Sequence, residues 1–375
     1  MAFEVRTSAL RELAGLLDRA REDADLIKAH FGRIRDFAGG EGVLNQVVGG
    51  HHAVHQAVDH WLGALAHPTL AAVSQAVAES ATYYDHTDAA SAEKLDNSYP
   101  ATDVTRVRER LGAGRLDMPA GYAPFREITE PAAFLAEPKD YTVELDGSPN
   151  WWDVMSPMAQ IGAALETVTE VAVWLGWLQS PIDPQAEIVK PFVGDWAGVR
   201  AAADVMRDVA AAVHAVANNI TWASQNTEAV WRGNAGAGAA AYLVELADPV
   251  DGFPAPLHTL ADAYAEASAE MVVLRDAAVN ILNQIGDAAI QAAASAGFAA
   301  GAASTGAGTP IALLLGALAG YKVHRVVDGI RSLMEVIGKL DALTSVLKAS
   351  QTEFGDLRNG VRLPALPDRT VTLPK

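Results

Sequence analysis

Apolar residues at Leu10, Leu13, Leu17, Ala20, Ala24, Ile27, Phe31 and Ile34 recur in alternating steps of three and four, which lines them along one seam of a helix. Thr7 or Ser8 offers the N-cap, and the glycine-rich run FAGGEGVLNQVVGG at 37–50 ends the stripe. Val54, Val58, Trp61 and Leu65 begin another. Pro68 lacks the amide hydrogen that a helix interior needs, so it interrupts this second stripe before Leu70, Val73, Val77, Ser80 and Tyr84 resume it. The pattern predicts two long helices folded into a hairpin.

Beyond residue 95 the period fades and Pro, Gly and charge rise, with one short helical piece at 104–111 and one short extended segment in PKDYTVELDGSPNWW. An apolar helix is expected over 155–178, closed by SPIDP. The clearest pattern follows. Val199, Ala202, Met206, Val209, Val213, Val216, Ile220, Ala223, Thr227 and Val230 keep a seven-residue repeat, which a helix needs only if it packs along a narrow seam. After VWRGNAGAGAAAYL and an expected break at DPVDGFPAP, residues 248–256, the same repeat returns at Leu257, Leu260, Tyr264, Ala267, Met271, Leu274, Ala278, Ile281 and Ile285. A second hairpin therefore occupies about 195–285, with its turn at or just after Trp231. There a left-handed Gly233, followed by Asn234, would close the first helix, and Trp231 would cover its end or anchor a partner.

Residues 288–321 carry no charge and hold Gly297 and Gly301, then Gly316 and Gly320, in two GxxxG spacings around STGAGTP. Close packing of a soluble helix pair and a membrane-active tip are both open there, although each half is shorter than the roughly 20 apolar residues of a span. The last helix, about 311–354, is followed by an unpacked tail. The chain thus divides into an N-terminal hairpin (1–95), a linker (96–154), a second hairpin region (155–287), an Ala/Gly-rich helical extension (288–358) and a flexible tail (359–375). The fold class is all-α: an elongated bundle of two linked helical hairpins with a C-terminal helical extension.

Composition narrows the function. A formal charge of −18 without a dense block of Lys or Arg excludes nucleic acid as a partner. With no cysteine there is no disulfide and no thiolate chemistry. The first helix is charged throughout, so no cleavable signal of the Sec type is expected. His51, His55 and Asp59 share a helix face at i, i+4 and i+8, but no third strong ligand accompanies the two histidines; a polar face that gains charge in acid is the better reading. No triad, phosphate-binding glycine loop or paired carboxylates emerge, so neither catalysis, metal nor cofactor is expected.

W-x-G occurs four times, at Trp61, Trp174, Trp196 and Trp231, against about 0.7 expected from composition. Only Trp231 to Gly233 separates two heptad helices. That arrangement resembles the WXG superfamily of early-secreted-antigen-like helical hairpins, which type VII (ESX) secretion systems export. The resemblance covers about residues 185–290. In the first hairpin, YYDHTDAASAEKLD places Tyr84 and Asp88 in a Y-x-x-x-D arrangement similar to ESX export signals, on a hairpin that looks like the EspC-like branch.

The resemblance implies a four-helix bundle in which one hairpin supplies Trp231 and Gly233 and the other Tyr84 and Asp88, paired here within one chain. It further implies a protein made in the cytoplasm and secreted or held at the cell surface, with the secretion ATPase or a chaperone as partner. The leading reading is a non-enzymatic secretion substrate acting in protein interaction or assembly. A membrane-perturbing effector using the 288–321 tip, a delivery partner for a separate toxin, and pairing with another WXG-type protein or a second copy stay open.

Overall fold

A computed structural model describes residues 3–34, 42–112, 125–145, isolated positions between 169 and 194, and 195–366 apart from 305–308. Within these, the side chains of 143–144, 293, 295–319 and 356–360 are not described. The fold is all-α. After a two-residue strand β1 (Glu4–Val5), α1 (Thr7–Phe31) runs out, and α2 (Asn45–Ala64), the kinked segment Leu65–Leu70 and α3 (Ala71–His86) return along it. The kink lies where Pro68 predicts it: His67 is non-helical at φ −137°, ψ 119°. All eight residues of the first seam are buried. Then α4 (Ala89–Asp96) and α5 (Val104–Leu111) follow, with α5 capped by Asp103 at its start and left-handed Gly112 at its end.

The segment between the hairpins is fastened to its neighbours. Arg108 of α5 meets Glu228 at 2.8 Å, and Asn219 holds the backbone of Ile128 and Thr129 through its side-chain amide, at 2.9 to 3.2 Å. In PKDYTVELDGSPNWW, where a short extended segment was expected, the described residues up to Leu145 end in a short helix, α6 (Thr142–Leu145), and the rest lies outside the described residues. Asp140 explains the difference, since its carboxylate accepts from the Thr142 N–H at 2.9 Å and starts a helical turn locally. Most of the helix expected over 155–178 lies outside the described residues.

The second hairpin begins with α7 (Trp196–Val230), whose heptad positions are all at most 1% exposed. At β2 (Trp231–Arg232) the chain reverses, and α8 (Asn234–Gly252) and α9 (Pro254–Ser304) return along α7. His214 meets Asp251 at 2.7 Å and Arg207 meets Asp262 at 2.8 Å, so the returning arm keeps its direction across DPVDGFPAP. The nine-residue break expected there shrinks to Phe253: Pro249 is carried inside α8 and Pro254 starts α9, where its missing N–H is no loss. Phe253 is fully buried and stacks on Trp61 at 4.0 Å between ring centroids, which fixes the joint in the core.

α9 continues through residues 287–288 without interruption, and α10 (Thr309–Gly360) runs antiparallel to it, as the Gln291–Lys322 and Tyr264–Gln351 hydrogen bonds require. The end of α10 lies on α2, with Lys348 bonded to Gln46 and Gln351 to the Val47 carbonyl. The two expected hairpins are therefore joined by a third helix pair that shares α9. Among the described residues no helix is long and apolar enough to cross a membrane.

Candidate functional site

The site is the reversal between α7 and α8. Trp231 leaves the helix extended at φ −134°, ψ 91°, and β2 pairs antiparallel with β1 in the register Glu4 with Arg232 and Val5 with Trp231. The Arg6 N–H donates to the Val230 carbonyl at 2.9 Å, and the Arg232 guanidinium lies 3.2 Å from the Glu4 carboxylate. The residues just ahead of α1 thus tie the turn of the second hairpin to the first. At the other end of α1, His30 sits 3.6 Å from Asp208, so α1 and α7 lie antiparallel.

Gly233 follows at φ +139°, ψ −174°, a region that side chains with a Cβ avoid. It is the N-cap of α8, and the expectation that it closes α7 by a left-handed turn is corrected. The two-residue strand takes the chain out of α7 extended, so no left-handed cap is needed. Glycine is required for a different reason: a Cβ at Gly233 would lie 2.7 Å from Cγ of Asp96. That carboxylate, only 3% exposed, accepts from the backbone N–H groups of Asn234 at 2.8 Å and Ala235 at 2.9 Å. Gly233 has no side chain to cap α8, and Asp96 at the end of α4, just after the first hairpin, supplies the cap. The Asn234 side chain donates to the Tyr99 carbonyl at 3.1 Å, which adds a second tie between the same elements. Gly236 in the same turn also has no room for a side chain, since a Cβ there would lie 2.7 Å from the Trp231 carbonyl carbon.

Trp231 is 5% exposed and meets Tyr84 edge to face, with centroids 5.9 Å apart and planes at 78°. Phe3 and Tyr83 flank Tyr84 at 5.7 and 5.6 Å. Burial pushes the Tyr84 phenol up to about 12; the neighbouring Trp231 indole pulls the other way, with N–H geometry short of a regular hydrogen bond. Tyr84 is therefore a neutral hydroxyl at any ordinary pH.

Of the residues singled out in the sequence, Tyr84, Trp231 and Gly233 come together. Asp88 stands apart from that contact: it is exposed, caps α4, and accepts from the backbone N–H and hydroxyl of Ser91 at 3.0 and 2.8 Å, bonds that hold its carboxyl below the usual range. Asp96, Tyr99, Phe3 and Gly236 complete the site and were missed. One cue was available for Asp96, because a carboxylate at the end of a helix opposes the helix dipole and needs a compensating partner elsewhere.

At the tip, the surroundings of Gly297, Gly301 and Gly316 lie outside the described residues. Around Gly320 a Cβ would meet nothing within 4 Å, so no close helix contact demands that glycine. The expected titratable polar face at His51 and His55 is corrected, since they are 0% and 8% exposed. That face turns inward because α9 and α10 cover it. The His51 Nε2–H donates to the Ile34 carbonyl at 2.9 Å, Nδ1 lies 3.2 Å from the Tyr264 hydroxyl, and His55 stacks on Phe31. Asp59 pairs with Lys28 at 3.3 Å. Among the described residues, no group of three or more His, Asp or Glu side chains is arranged to hold a metal. Compared with protein-family models, with curated proteins and with solved structures, the chain matches none significantly, so the site is read from its own geometry.

Proposed function

We propose that this chain is a non-enzymatic substrate of a type VII secretion system, a self-paired WXG-type helical protein that acts outside the cytoplasm in protein interaction or assembly. The observation that carries the reading is the contact of Tyr84 with Trp231. Two residues far apart in sequence, each in the motif position of one half of a two-part export signature, lie edge to face at 5.9 Å on different hairpins. A bare helix cap needs Gly233 but not an aromatic pair beside it. Asp96 and β1 favour the same reading, because both hold the two halves in register across the bundle. A single chain then presents what two separate hairpins would otherwise assemble, and the secretion ATPase or a chaperone is the partner.

Fractionation of cells and medium in a host with an active type VII system tests this. Wild type is expected in the medium, while Trp231→Ala and Tyr84→Ala stay inside cells with unchanged helical circular dichroism. Retention of wild type would overturn the export role, and equal secretion of all three would remove the aromatic pair from it.

A further inference from the structure

A cavity of about 420 Å³ opens between the two hairpins, beside the aromatic pair. Ala72, Val73, Ala76 and Val77 of α3 form one wall, and Ala239 and Leu243 of α8 the other. The alanines leave space that larger side chains would fill. From Ala72 to Tyr84 the α3 wall runs twelve helical steps, about 18 Å. The described part of the tail, expected to be unpacked, is docked nearby. The Val361 carbonyl accepts from the Trp61 indole at 3.1 Å, Leu363 packs on the core, and Leu366 joins the lining of the cavity.

One end differs in kind. Tyr83, Tyr84 and Tyr99, all half-buried, line it, with Trp231 behind Tyr84. The planes of Tyr83 and Tyr84 stand at 72° with centroids 5.6 Å apart, and the Trp231 plane stands at 78° to Tyr84. Rings set nearly perpendicular turn their faces in different directions around a shared corner, whereas stacked rings would hide them. An aromatic face carries partial negative charge, and a cation within about 6 Å of its centre is attracted to it. Charge points the same way. Among the described residues that line the cavity there is no Lys, Arg or His, and the one carboxylate is that of Glu79. Glu79 stands one turn before Tyr83 on α3, so the two side chains are neighbours. It accepts from the Gln75 amide at 2.8 Å, a neutral group that does not cancel its charge. Burial is the main cause that pushes the Tyr84 and Tyr99 phenols up, and the Asp96 carboxylate adds to both, so its field reaches this end too. A site of this make-up favours a positive head on an apolar body.

We propose that this cavity binds a free organic cation of the alkylammonium class, with its positive head between Glu79 and the rings of Tyr83, Tyr84 and Tyr99 and its apolar body along the alanine-lined walls. A choline phospholipid does not fit, because its phosphate would face Glu79. The site stands on the cavity and its charge, and does not rest on the function proposed above.

Decyltrimethylammonium, decanol and decanoate share one chain and differ in the charge of the head, so isothermal titration of the full-length protein with all three, below their micelle concentrations, tests the site. The cation is expected to bind about ten-fold more tightly than decanol, and decanoate no more tightly than decanol. Glu79→Gln and Tyr83→Leu should each cut the preference for the cation over decanol at least about three-fold while decanol binds as to wild type. Ala239→Trp, which fills the cavity, should abolish binding of all three with circular dichroism unchanged. If that variant fails to fold, the preference measured in Glu79→Gln, a change at an exposed residue, decides. No binding of the cation, equal affinity for the three heads, a preference untouched by both Glu79→Gln and Tyr83→Leu, or binding that survives Ala239→Trp overturns the proposal. Phosphatidylcholine vesicles should not carry the protein upward in a flotation gradient; if they do, a lipid surface is the ligand and the free cation is not.

Discussion

Removing the carboxylate of Asp96 tests how the two hairpins are locked. Its two oxygens accept from the first two backbone N–H groups of α8 at 2.8 and 2.9 Å, and the residue is 3% exposed. An ordinary N-cap replaced by alanine costs about 1 kcal/mol. Here both bonds are charge-assisted and partly shielded from water, and such bonds contribute about 1.5 to 3 kcal/mol each. Water can reach the half-buried Asn234 and Ala235 once the side chain is gone, so the sum overstates the loss. We expect Asp96→Ala to cost about 2 to 3 kcal/mol and Asp96→Asn, which keeps one acceptor, about 1 to 2. Hydrogen exchange read by mass spectrometry over 231–243 gives the local value. At 1.4 kcal/mol per factor of ten, amide exchange at Asn234 and Ala235 should accelerate roughly 30- to 140-fold in Asp96→Ala. Acceleration below about two-fold, with α1 and α7 as protected as in wild type, would show that the carboxylate does not hold the N-terminus of α8.

The glycines divide into two kinds. Gly233→Ala should destabilise by about 2 kcal/mol through its positive φ and the collision with Asp96, whereas Gly320→Ala, in open space within α10, should be neutral or stabilising by up to about 1 kcal/mol; urea denaturation of the two variants reads the contrast. Tyr264→Phe should cost about 1 to 3 kcal/mol, because it leaves His51 Nδ1 and the Gln351 amide without their shared partner in the core. Burial, followed by the carboxylates of Glu127, Glu22 and Glu130, pushes the Asp23 carboxyl up to about 6 against the pull of Arg19. The native state then holds its proton more tightly than the unfolded chain, and stability from this group falls as pH rises from about 4 to 6. Asp23→Asn should therefore be more stable than wild type at pH 7, by about 1 kcal/mol after allowance for solvent screening, with the difference vanishing near pH 3.5; denaturation midpoints at the two pH values decide it.

What the sequence carried well were features set by neighbours along the chain. The seams of α1 and α7 are legible because every third or fourth residue must face the core, and the bounds of α5 are legible because Asp103 and Gly112 cap it locally. The reversal at Trp231 was legible for the same reason. What was lost depends on distant partners. Asp96 is one of many acids until α8 is placed against it, and His51 is a surface histidine until α9 and α10 cover it. Pro249 and Pro254 promised a loop, yet burial of Phe253 against Trp61 carries the arm onward as helix with a single joint. Tyr84, Trp231 and Gly233 stood out in the sequence and lie together in the fold, while the polar lock beside them has no signature of its own.

Export of a double-mutant set measures the central idea most directly. Wild type, Tyr84→Ala, Trp231→Ala and the double variant would be expressed in one type VII host and quantified in the medium. If the two rings act as one unit, each single substitution abolishes most of the export and the double loses no more. Independent, multiplying losses in the double variant, or wild-type export from either single, would contradict it.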